Sequence, residues 1–232
     1  VDLLRVLSPQ PRTVLEMFAQ HAALVDAPED DARLKEARDR MEREILRGII
    51  NEETELGGFL SRLALMPKGV DAEILHQALG LPQEEAERLL VRLEPLSFAK
   101  RHEALRGAER LHGERIFFHD EMYRLLMRPD VMPNLRLNEC IVAHALEMNY
   151  YRPHIVQLER ELEELSPAGR IPHRERLQKL QVERLYYLLA RDPREGYAEY
   201  KRLSDQANRR RWVGYSMRLL DEFLRFYNTP ER

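Results

Sequence analysis

His119 and Asp120 form the adjacent pair in this chain best suited to a ligand-dependent contact. An unperturbed imidazole titrates near pH ~6.5, so a neighbouring phosphate can hold it protonated and make it a charge-dependent contact. An Asp where a strand gives way to a helix accepts the orphan N–H groups of the first helical turn. The pair stands at such a junction. Arg115, Ile116, Phe117 and Phe118 make a short β-like run, and the stretch from Glu121 to Met127 reads as a helix.

Other chemistry is poorly provided for. The chain has no Gly-x-Ser-x-Gly elbow, no Cys-His-Asn order, no Gly-Lys-Ser/Thr phosphate loop and no dinucleotide fingerprint. Its eight His are scattered, and only Cys140 and His144 share a helical face four residues apart. Two ligands with no further Cys or carboxylate do not make a zinc site, so the expected reading is a packed thiol beside a surface His. The single cysteine excludes an internal disulfide and fits a reducing compartment, so a cytoplasmic location is expected. No stretch approaches the roughly 20 apolar residues of a membrane span, and no basic run precedes an apolar core as in a signal peptide. No membrane partner is expected.

The elements that must position the pair emerge from periodicity. The chain opens at Val1 inside an apolar run (Val1, Leu3, Leu4, Val6, Leu7), which suggests a piece of a longer polypeptide. Residues 1–53 read as a helical lead-in; Leu34, Ala37, Met41, Ile45 and Ile49 recur at helical spacing, with opposite charges four apart on the other face. A helix from Thr54 to Leu65 turns Leu56, Phe59, Leu60 and Leu63 inward. Asp71 caps a short helix carrying Ile74, Leu75, Ala78 and Leu79, which Gly80 stops. Pro82 suits the first turn of a third helix with Ala86, Leu89, Leu90 and Leu93 on one face. The period then switches to alternation over residues 96–100 and again over 115–118. Three helices, a small β-hairpin with a long tip and a closing helix amount to a winged helix-turn-helix over residues 54–130.

Residues 131–232 read as stacked antiparallel helical hairpins of the tetratricopeptide-like kind, although no clean repeat period is present. The expected inward faces are Leu137, Ile141, Ala145 and Met148; Ile155, Leu158, Leu162 and Leu165; Leu177, Leu180 and Leu188; Tyr197, Tyr200 and Ala207; and Val213, Met217, Leu220 and Leu224. Asp192 to Glu195 is a capping box with Pro193 at the first helical position. The fold class expected is thus mostly α: a winged helix with a small hairpin, then a helical array.

Charge narrows the partners. Residues 1–130 hold 19 Lys+Arg against 25 Asp+Glu, and residues 131–232 hold 18 against 15. A DNA-reading helix would be Gln83–Glu94, whose four Glu outnumber its two Arg, so phosphates would repel it. The hairpin tip is more basic (Lys100, Arg101, Arg106, Arg110, Arg115), and these are the residues a wing would offer to a nucleic-acid backbone. Arg209, Arg210, Arg211 and Trp212 read as a solvated turn at a helix start. Nucleic acid is not the expected partner.

Leu63 to Pro67, Val70 to Leu75, Leu96 to Lys100 and Phe117 to Met122 resemble the winged-helix domain of STAND proteins, the signal-transducing ATPases with numerous domains that include NLR immune receptors, apoptotic ATPases and bacterial defence regulators. Leu185 to Leu189, Asp192-Pro193 and Gly196-Tyr197 resemble the tetratricopeptide-like sensor of the bacterial members. The resemblance implies that His119 reaches the β-phosphate of ADP held by an upstream ATPase domain of the same polypeptide. Asp120 would fix the turn, and Phe118 would be the apolar anchor where the family often has Met. It further implies ADP or ATP with magnesium in the parent protein, no cofactor in this chain, a protein or small-molecule signal on the helical array, and oligomerisation of the parent. The chain itself is then not an enzyme. Two other readings are a winged-helix transcription regulator with a helical effector or dimerisation domain, and a helical scaffold in which His119 is structural.

Overall fold

Apolar residues recurring every three or four positions make helix the dominant state of this chain. The computed structural model describes residues 54–93, 99–101, 115–118, 123, 126–128, 132 and 134–228. The lead-in expected over residues 1–53 lies outside them. Packing groups the described residues into two units.

The first unit contains α1 (Thr54–Ala64), Val70, the strands β1 (Ala99–Arg101) and β2 (Ile116–Phe118), and the part of α3 (Gln83–Leu93) from Arg88 onward. Phe59, Leu60 and Leu63 are buried as their spacing requires. Beyond α1 the chain tightens through Leu65 N–H to Arg62 O (3.0 Å) and Met66 N–H to Leu63 O (2.9 Å). Gly69 then takes φ 78°, with its N–H on Met66 O at 3.0 Å. That reversal delivers Val70 to Ile116, and the two exchange both backbone hydrogen bonds at 2.9 and 2.8 Å. β1 pairs antiparallel with β2 in the register Ala99 with Phe118, Lys100 with Phe117 and Arg101 with Ile116. An antiparallel residue sends both backbone groups to one side, so β2 has Val70 on one edge and β1 on the other. Arg115 corrects an expectation: it is buried, with Nη1 donating to Lys68 O at 3.2 Å, and is no wing-tip cation. The guanidinium thus donates to a backbone carbonyl of the turn before Val70.

The second unit contains α2 (Ala72–Leu79), the first part of α3, and α4 (Leu135–Leu146) onward. Asp71 caps α2, its Oδ1 accepting from Ile74 N–H at 2.8 Å, and Gly80 ends it at φ 69° with its N–H on His76 O. A π-helical turn, Glu147–Tyr151, joins α4 directly to α5 (Arg152–Glu164). The expected pair of helices is therefore one continuous rod. Pro153, in the first turn of α5, supplies the reason: it has no N–H to offer the preceding turn, which widens to an Arg152 N–H to Glu147 O bond.

α6 (Arg170–Arg191), α7 (Pro193–Arg209) and α8 (Val213–Tyr227) complete the array. α6 is the central helix; α5, α7 and α8 all pack on it, and α7 packs on α8. Asp192 caps α7 through Arg194 N–H and Glu195 N–H, with Pro193 first in the helix; the return half of the expected capping box is not made, because Asp192 N–H donates to Leu188 O and the Glu195 carboxylate pairs with Arg191. At Gly196 a β-carbon would stand 2.7 Å from the Leu189 backbone, so α6 and α7 approach closely there. An aromatic chain runs through this core: Tyr150, Tyr151, Tyr187, Tyr186 and Phe226, each ring within 5.7 Å of the next.

Two helices bury faces other than those expected, and on α7 the expected Tyr197 is exposed and Tyr200 half-buried, Ala207 alone of the three being buried. α4 buries Glu139, Val142, Ala143 and Leu146 and leaves Leu137, Ile141 and the neighbouring Met148 exposed. α8 buries Tyr215, Leu219, Glu222 and Phe226 and leaves Val213, Met217, Leu220 and Leu224 exposed. The expected faces of α5 and α6 hold: Ile155, Leu158, Leu180 and Leu188 are buried. No described helix is long and apolar enough to cross a membrane.

Candidate functional site

Phe118 ends β2 with its side chain buried, and its ring leans on Tyr123 at a centroid distance of 5.6 Å. Phe118 N–H donates to Tyr123 Oη at 3.3 Å, and Tyr123 Oη donates to Met66 O at 3.4 Å. One phenol thus ties the end of β2, the start of the next helical turn and the loop after α1. The turn itself is held by Met127 N–H on Tyr123 O (2.9 Å), with Leu126 buried beneath it. Leu63, Met66, Val70, Ile116, Phe118 and Tyr123 close around one another with no room for a water molecule. The corner is a packed cluster.

His119 and Asp120 lie outside the described residues, as do Arg106 and Arg110 of the wing. Lys100 and Arg101 fall in β1, where the backbone register is given. Sequence reasoning missed Tyr123. A Tyr three residues beyond an Asp that reads as a helix start is the one local signal, because a phenol needs a hydrogen-bond partner when partly buried.

A second constellation lies in the helical array, also missed. Glu147 is buried in the π turn and receives two bonds from Arg184, Nε to Oε2 and Nη2 to Oε1, both at 2.7 Å. Arg184 Nη1 reaches Glu199 Oε1 at 3.1 Å, and Arg202 grips Glu199 with two bonds of 2.7 Å. These four charges alternate in sign across α6, α7 and the π turn. Burial works against charge on Arg184, but the hydrogen bond and charge of Glu147, with Glu199 beyond, raise its pKa. Burial likewise works against charge on Glu199, and the Arg202 bond and both cations outweigh it, so its pKa falls. The Glu199 bond chiefly raises the Arg202 pKa. Nearby, the Tyr215 hydroxyl donates to Gln181 Oε1 at 2.6 Å, and burial raises the phenol pKa. A fully paired relay of this kind has no open valence for a substrate; it positions helices.

Cys140 is half-buried with Sγ 3.8 Å from Arg191 O, and His144 is exposed, matching the packed-thiol reading. No cluster of three potential metal ligands occurs among the described residues. Comparison with known protein families, curated proteins and solved structures finds no match to this chain.

Proposed function

We propose that this chain is the regulatory arm of a STAND-type signalling ATPase. A winged helix would sense ADP or ATP held by an upstream ATPase domain through His119, and the helical array would relay a partner or ligand signal. One observation carries the proposal. The element order α1, α2, α3, β1, β2, with β1 and β2 an antiparallel pair and Val70 bonded to Ile116, is compatible with a winged helix, and in the sequence His119 and Asp120 follow Phe118, the last residue of β2. The Tyr123 tie supports it further: a sensor must stand on a rigid base if its contact is to report a ligand rather than local motion. Release of a contact that only the ADP-bound state makes would bias a two-state switch. α3 carries Glu84, Glu85 and Glu87 against Arg88 and Arg92, with no excess of positive charge to attract phosphates, which favours this reading over DNA recognition.

The test is nucleotide retention by the natural polypeptide that contains this chain. Purified protein should carry ADP, and His119→Ala should release it while leaving the helical signal in circular dichroism unchanged. Unaltered ADP retention would remove the sensor role. Duplex-DNA binding that falls steeply with salt would replace it with the transcription-regulator reading.

A further inference from the structure

α8 turns two unlike faces to its surroundings. Tyr215, Leu219, Glu222 and Phe226 face the array. Val213, Met217, Leu220, Leu224 and Tyr227 face outward, each 44% exposed or more. Their spacing is four, three, four, three, the heptad seam by which one helix packs into another. The seam runs the length of α8, about 21 Å at 1.5 Å per residue.

Cations border this seam. Arg209, Arg210 and Arg211 lead into it and are all exposed. Arg210 and Arg174 share the Trp212 indole, with Cζ at 5.4 and 5.3 Å from the ring centre. Arg174, Arg209, Arg210 and Arg211 have no carboxylate partner among the described residues, and Arg218 and Arg225 stand on the exposed flank of α8. Asp221 is the only exposed acid on the described α8. The patch stands out because the chain as a whole is acidic, with a net charge of −3.

We propose that α8 docks an amphipathic helix of a partner protein, with the partner's apolar seam bordered by Asp and Glu. The apolar residues match helix-in-groove recognition, and the arginines match carboxylates, which they bind in bidentate geometry. Stacking on Trp212 holds two guanidiniums in place before binding, so less freedom is lost on docking. It also occupies the indole, which leaves no aromatic platform for a nucleobase. A second copy of the chain is the alternative that oligomeric state tests directly. A lipid surface fits poorly: the exposed apolar residues of α8 form a narrow seam, where an interfacial helix presents a broad apolar face. This docking surface goes beyond the nucleotide-sensing reading and does not rest on it, since peptide binding and ADP retention are separate readouts.

The experiment uses the 232-residue chain and two fluorescein-labelled helical peptides, both with Leu at the seam positions, one with Glu and one with Lys along the borders. Anisotropy should show binding of the Glu peptide alone. Affinity should drop about tenfold or more when salt is raised past the range where exposed charges are screened. Met217→Glu and the pair Arg210→Glu with Arg211→Glu should each weaken it on the order of tenfold. Val91→Ser, at an exposed apolar site elsewhere, should not. Circular dichroism of each variant confirms folding. Equal binding of the Lys peptide, no binding of either peptide to folded chain, binding to phosphatidylserine vesicles in place of peptide, or a dimer that Met217→Glu dissociates would each overturn the proposal.

Discussion

His154 reaches Glu73 across 81 positions of sequence: its Nε2 lies 3.0 Å from Glu73 Oε1, while its Nδ1 lies 2.7 Å from Tyr150 O. The link ties α2 to the rod made by the π turn and α5. Glu73 is 45% exposed on its side chain, so solvent screens the pair. A double-mutant cycle of His154→Gln and Glu73→Gln, read by urea unfolding, should give a coupling of about 0.2–1 kcal/mol. Zero coupling would mean the contact merely follows from packing.

Gly69→Ala should destabilise the first unit by about 2 kcal/mol or more. The position has φ 78°, and a β-carbon there would stand 2.6 Å from the Phe117 ring. Left-handed strain and overpacking act together. A Phe117→Ala background should recover the part due to the clash and leave the part due to φ. Unfolding midpoints of the two single variants and the double variant separate the terms.

Arg184→Met should cost more than any exposed ion pair, about 3–5 kcal/mol, because it leaves Glu147 buried and charged without its partner. Adding Glu147→Gln should restore a good part of that loss. If the single variant unfolds at the wild-type midpoint, the relay is not a structural tie.

Acid should loosen the array through Glu199. Its pKa is lower in the fold than the ordinary 4.5, so the folded form binds a proton less readily than the unfolded one. The contribution to stability is complete above pH 4.5 and is lost as pH falls below it. Glu199→Gln should flatten that limb of the stability profile.

Alkali should act through Tyr215, whose pKa is raised above the ordinary 10.0 by burial. The folded form holds the phenol proton more tightly. Its contribution is complete below pH 10.0 and is lost as pH rises beyond it. Phenolate absorbance should show one tyrosine titrating late, and Tyr215→Phe should remove it.

The support of the candidate site was partly legible in sequence. The strand-like alternation of 115–118 is followed by the structure as β2, and Phe118 is buried in it. Arg115 in the same run reads as a surface cation, yet it lies buried against Lys68 O, 47 residues away. Tyr123 gives no sign in its own neighbourhood that its hydroxyl meets Met66 O, 57 residues back.

The same division runs through the fold. Asp71, Gly80, Asp192 and Pro193 announce helix ends by themselves, because a cap is made within three or four residues of backbone. The inward faces of α5 and α6 also follow from sequence, since each has one apolar stripe. α4 and α8 carry two: Leu137, Ile141 and Met148 against Val142, Ala143 and Leu146, and Val213, Met217, Leu220 and Leu224 against Tyr215, Leu219 and Phe226. Periodicity cannot choose between two apolar stripes on one helix. Tertiary structure chose the faces whose polar members find distant partners, as Tyr215 finds Gln181 at 34 residues' remove. A buried hydroxyl without such a partner costs more than an exposed Leu.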